Sequence, residues 1–72
     1  MTEPDKEIEE TYSYDRGQLV AFLERFTNDI RAGTIQIGSE HVQIPSRGMD
    51  VEYDFKIEKG QSEIEIEVKW TG

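Results

Sequence analysis

Charged and apolar residues alternate without a slip in SEIEIEVKW, Ser62 to Trp70, and MDVEYDFKIEK, Met49 to Lys59, alternates in the same way. A period of two is that of a strand, whose successive side chains point to opposite faces. Lys59-Gly60 between the two runs reads as a two-residue hairpin loop. That loop predicts a register with Phe55 opposite Ile64, Tyr53 opposite Ile66, Val51 opposite Val68 and Met49 opposite Trp70, all on one face. The other face then pairs Lys56 with Glu63, Asp54 with Glu65, Glu52 with Glu67 and Asp50 with Lys69. A slip of one residue would turn every apolar side chain to the wrong side, so the alternation itself specifies the register. Trp70 falls at the far end of the apolar face, where it is expected to cover the end of the core with its indole N–H near water or a carbonyl.

Upstream the period is helical. Leu19, Leu23, Phe26 and Ile30 recur at spacings of four, three and four, with Phe22 and Val20 flanking the stripe, and Gln18, Ala21, Glu24, Arg25 and Asn28 lie opposite. This predicts a helix with one buried face. Asp15 and Gln18 fit a capping box, and Tyr14 with Leu19 fits a hydrophobic staple. Arg31 suits the last turn and Gly33 a left-handed cap. After Gly33 the period falls to two. TIQIG and HVQIP alternate around a GSE turn, which sets Ile35 and Ile37 against Val42 and Ile44, and Pro45 ends the second run. EIEETYSY, Glu7 to Tyr14, puts Ile8, Tyr12 and Tyr14 on one face if extended, a weak strand signal broken by Glu10.

The expected fold class is therefore α+β, in the order β-α-β-β-β-β. A twisted, mainly antiparallel sheet carries one amphipathic helix on its apolar face. The expected core is Leu19, Leu23, Phe26, Ile30, Val51, Tyr53, Phe55, Ile64, Ile66, Val68 and Trp70. Residues 1–6 are expected to form a disordered tail and residues 7–72 a single domain, since 72 residues allow only one.

Composition narrows the chemistry. Sixteen acidic residues against eight basic ones give a formal net charge of −8. That argues against nucleic acid and anionic membrane as partners, because both require a cationic surface. It fits a high-salt cytoplasm, where salt screens the self-repulsion. No cysteine is present and there is one histidine, which removes disulfides, thiol nucleophiles and the usual zinc sets. The acidic start MTEPDKEIEE does not read as a signal or transit peptide, and LVAFL is too short to span a bilayer. A soluble, cytoplasmic protein without cofactors is expected.

Glu52, Asp54, Glu65 and Glu67 converge on the outer hairpin face and are the candidate ligands for a divalent cation such as Ca²⁺ or Mg²⁺. A flat strand surface without loop carbonyls is a poor cage, so a solvated acidic face is the stronger expectation. His41, near Ser39 and Glu40, lacks an oriented nucleophile and an oxyanion loop, and is expected to be an exposed strand residue. The aromatic set of Tyr12, Tyr14, Phe22, Phe26, Tyr53, Phe55 and Trp70 reads as core ahead of a ligand pocket, because so short a chain has little buried area to spare.

One amphipathic helix, followed by strands and ending in EIEIEVKW, resembles the amphi-Trp domain family over roughly residues 7 to 70. The resemblance implies a compact stand-alone bacterial or archaeal domain without an assigned activity, and it carries no catalytic residues onto this chain. The expected function is that of a small acidic, non-enzymatic association module. Its partner is either a second copy, held weakly through a sheet edge at TIQIG or the first strand, or another protein. The alternative is a small-ligand or divalent-cation-binding protein that uses the acidic face or a helix–sheet pocket.

Overall fold

A computed structural model describes residues 6–71. The tail expected over residues 1–6 lies outside this description except for Lys6. The architecture is α+β, with one helix followed by four strands in two separate antiparallel hairpins.

Helix α1 runs Arg16–Ala32. Its start is fixed by the reciprocal capping box. The Gln18 N–H donates to Asp15 Oδ1 at 2.8 Å, and the Asp15 N–H donates to Gln18 Oε1 at 3.0 Å. Two of the backbone donors that a helix start leaves unpaired are thereby satisfied. Gly33 ends the helix at φ +86°, a left-handed value open to glycine, and its N–H donates to the carbonyls of Asp29 and Ile30.

β1 (Thr34–Ile37) and β2 (Glu40–Gln43) form the first hairpin, with Ile35 opposite Val42 and Ile37 opposite Glu40. The turn is the two residues Gly38-Ser39, shorter than the three expected, with positive φ at Gly38 alone, as a type II′ turn needs. The Ile44 N–H donates to the Gly33 carbonyl at 2.8 Å and carries the pairing one step further. α1 packs on β1, and Ile35 beneath it is 8% exposed, the one buried hydrophobic residue among the described residues.

β3 (Asp50–Glu58) and β4 (Gln61–Lys69) form the second hairpin. Its register is the expected one at every rung from Asp50–Lys69 to Lys56–Glu63, and it continues to Ile57–Ser62 and Glu58–Gln61. Lys59 at φ +52° and Gly60 at φ +78° give the two left-handed residues of a type I′ turn. Lysine is strained there whereas asparagine tolerates it. Lys59→Asn should therefore stabilise the hairpin by about 0.5 kcal/mol, read as a higher urea midpoint at unchanged m.

Three expectations are corrected. Among the described residues no strand precedes the helix, since residues 6–15 lie outside any ladder. Side chains hold this segment instead. Glu10 Oε1 accepts from the Gly38 N–H at 3.3 Å, Lys6 pairs with Glu40 at 2.6 Å, and Tyr12 and Tyr14 stack beside Phe22. The four strands do not form one sheet, and the helix covers the first hairpin only. Ile44 to Met49, with Pro45 and with Gly48 at φ +82°, interrupts the ladder between β2 and β3. As a consequence, none of the eleven residues expected in the core is buried within the single chain.

Candidate functional site

The second hairpin has two chemically opposite faces. Val51, Tyr53, Phe55 and Ile57 on β3 share a face with Ile64, Ile66 and Val68 on β4, and no charged residue falls among them; the expected Met49–Trp70 rung lies just beyond the ladder, which ends at Asp50–Lys69. This face is open. Tyr53 is 75% exposed and Ile66, opposite it, is 60% exposed, and Val51, Phe55, Ile57 and Ile64 are exposed to a similar degree. Met49, Val68 and Trp70 are half-buried, at the end of the hairpin nearest the Ile44–Met49 connection. Single exposed hydrophobics are ordinary on a protein surface, but a contiguous apolar face of this extent is unusual on a single chain.

The opposite face carries Glu52, Asp54, Lys56, Glu63, Glu65, Glu67 and Lys69. Glu52 does face Glu67, and Asp54 does face Glu65. Lys69 Nζ lies 3.3 Å from Glu67 and 3.9 Å from Glu52, and the neighbouring carboxylates raise its pKa, Glu67 most by hydrogen bonding. Lys56 pairs with Glu63 at 3.5 Å. The first like-charge rung thus shares a lysine, and the candidate cation ligands are already partly neutralised. Among the described residues, no group of three or more His, Asp or Glu side chains is placed to hold a metal ion. The remaining rung, Asp54–Glu65, has no lysine bridging it. Asp54→Lys should turn that rung attractive, raise stability by a few tenths of a kcal/mol at low salt, and weaken the salt dependence of the thermal midpoint. Glu67→Lys should bring no such gain, because it sets a second lysine beside Lys69.

A second apolar surface lies on α1. Phe22 and Phe26 turn toward β1, while Leu19 at 47% and Leu23 at 42% exposure, together with Val20 and Ile30, occupy the adjoining side of the helix and are open. On a 3.6-residue helix these two sets are neighbouring halves of one broad apolar arc. The first hairpin is too narrow to cover both.

A groove of about 390 Å³ lies between the 8–12 segment, α1 and β1, lined by Ile8, Tyr12, Phe22, Phe26, Ile35 and Ile37. Tyr12 and Tyr14 stack at 5.2 Å, each ring sits about 6 Å from Phe22, and the Arg25 guanidinium lies 6.0 Å from the Phe22 ring. The Glu10 carboxylate, accepting from the Tyr12 hydroxyl, raises the pKa of that phenol. His41 is exposed on β2 opposite Gln36, as expected.

Ile57 escaped the sequence reading of the core, and Phe22 entered it only through the aromatic set, not through the helix stripe. Ile57 follows Phe55 by two residues, so parity alone places it on the apolar face. Phe22 stands four residues before Phe26, a spacing that puts both on one side of the helix. No helix among the described residues is long and apolar enough to cross a membrane. Comparison with protein families, with curated proteins and with solved structures finds no match to this chain.

Proposed function

We propose that this chain is a small non-enzymatic association module and that the apolar face of the β3–β4 hairpin is its contact surface. The observation that carries the reading is the exposure of Tyr53, Phe55, Ile64 and Ile66 together on one uncharged face. Apolar burial is the main drive for protein association, and this face withholds it until a partner arrives. The face replaces the sheet edge as the contact. The segment expected to supply a first-strand edge forms no strand, and β1 offers only four residues. The acidic outer face suits a role toward solvent, where like charge keeps the protein soluble and turns non-specific partners away. The resemblance to the amphi-Trp domain carries no assigned activity and adds no chemistry to this reading.

Hydroxyl-radical footprinting tests the reading. Tyr53 and Phe55 should be oxidised readily in dilute protein and should become protected as protein concentration rises or as lysate of the source cells is added. Full accessibility under every condition would overturn it. The groove beside Phe22 is the one observation that favours a small-ligand reading. An apolar ligand there would protect Tyr12 and leave Tyr53 open, so the same experiment separates the two.

A further inference from the structure

We infer that the occupant of the hairpin face is a second copy of this chain, in a two-fold dimer where each hairpin lies on the partner's helix at Leu19, Leu23 and Ile30. The inference rests on the association reading above and adds the identity and geometry of the partner.

Area is the first argument. The chain exposes 6986 Å². A folded monomer of 8.4 kDa exposes about 4,600 Å². The six residues outside the description account for at most about 900 Å² of the difference, even if fully extended. About 1,500 Å² of excess surface remains per chain, hence about 3,000 Å² per pair of chains, which lies in the range of obligate homodimers. The radius of gyration agrees, at 14.2 Å where a compact chain of this length has about 11 Å.

Complementarity is the second argument. The chain leaves two apolar surfaces uncovered, the hairpin face and the Leu19–Leu23–Ile30 side of α1, and these do not pack on each other within the chain. A dimer of hairpin on hairpin would still leave the helix stripe open. Hairpin on helix covers both surfaces at once, and two-fold symmetry supplies the reciprocal contact without any further surface. Neither surface carries the charge that would set two chains of net −8 against each other, since the carboxylates of the hairpin point the other way.

The connection decides between the partner's helix and the chain's own. Only Ile44 to Met49 separate β2 from β3, with Pro45 fixing one φ and Gly48 held at +82°. The connection is short, and α1 contacts β1 and neither strand of the second hairpin, an arrangement that favours exchange between two copies.

The test uses the complete chain. Sedimentation of the purified protein from low micromolar to millimolar concentration should give the dimer mass. Because the chain has no cysteine, Leu23→Cys in one tagged copy and Ile66→Cys in another place one thiol on each surface. A bismaleimide linker should join the two kinds of copy to each other and should not join either kind to itself. A dimer in which Ile66→Cys copies join one another overturns the geometry in favour of hairpin on hairpin. A monomer at every concentration overturns the second copy as occupant. If Tyr53 and Phe55 in that monomer become protected only on addition of lysate, the association module stands with a different partner. If they are protected in the pure monomer, and the Leu23→Cys, Ile66→Cys double variant links within one chain, the hairpin closes on its own helix and both readings fall.

Discussion

Ile66→Lys should abolish the rise of the unfolding midpoint with protein concentration while leaving the hairpin register intact. Ile66 sits at the centre of the apolar face opposite Tyr53 and is 60% exposed in the single chain. A lysine at so open a position costs the isolated chain about 0.5 kcal/mol or less. Covered by a partner, the same lysine loses the burial of an isoleucine, worth about 2 kcal/mol, and carries an unpaired ammonium out of water at a further cost of several kcal/mol. Two-fold symmetry inflicts the change twice. The dissociation constant should therefore rise at least about a hundredfold, since each 1.4 kcal/mol is a factor of ten. Urea titrations at two protein concentrations check this. The parent midpoint should move with concentration, because a dimer is stabilised by mass action, and the variant midpoint should not. Glu65→Lys, one residue away on the outer face, changes the net charge by more and should leave the concentration dependence in place. If Ile66→Lys behaves like Glu65→Lys, the face is not a contact surface.

The contrast between these neighbours shows what the pattern along the chain conveys. Alternation across Val51 to Val68 specifies which residues share a face, and the structure has them so at every rung. The capping box at Asp15 and the left-handed Gly33 likewise set both helix ends where the sequence places them. These are local signals, each settled within a few residues by stereochemistry. What covers an apolar face is not local. The periodicity of Leu19, Leu23 and Ile30 states that they prefer to leave water, and it is silent on whether the cover comes from the same chain. The expectation of one sheet under one helix supplied the cover from within, and the interrupted segment at Pro45 and Gly48 removed it. The aromatic cluster was half legible. Tyr12 and Tyr14 do point the same way, as extended chain requires, but their partner is the Phe22 ring and not a neighbouring strand.

That cluster supports the second large effect. Phe22→Ala should cost about 2–3 kcal/mol and melt α1 together with the segment before it. Phenylalanine-to-alanine changes in a full core cost about 3–5 kcal/mol, and Phe22 is only half-buried, so a smaller cost applies. A domain of this length has about 4–11 kcal/mol in total, so the loss takes a large share. The helix has little of its own to fall back on, since an isolated segment of 17 residues is marginal in water. Gly17 in its first turn weakens it further. Residues 6–15 have no ladder and rely on the Tyr12–Tyr14–Phe22 packing and the Glu10 contact to Gly38. Loss of helical far-UV signal and of tyrosine near-UV signal at one common midpoint is the expected result. Phe22→Leu should keep most of the stability, because it preserves the apolar volume and gives up only the ring contacts to Tyr12, Tyr14 and Arg25. A Phe22→Ala protein as stable as its parent would mean that the helix is held from elsewhere, by whatever covers Leu19, Leu23 and Ile30. In that case adding Ile66→Lys to it should unfold the helix, whereas Ile66→Lys alone should not.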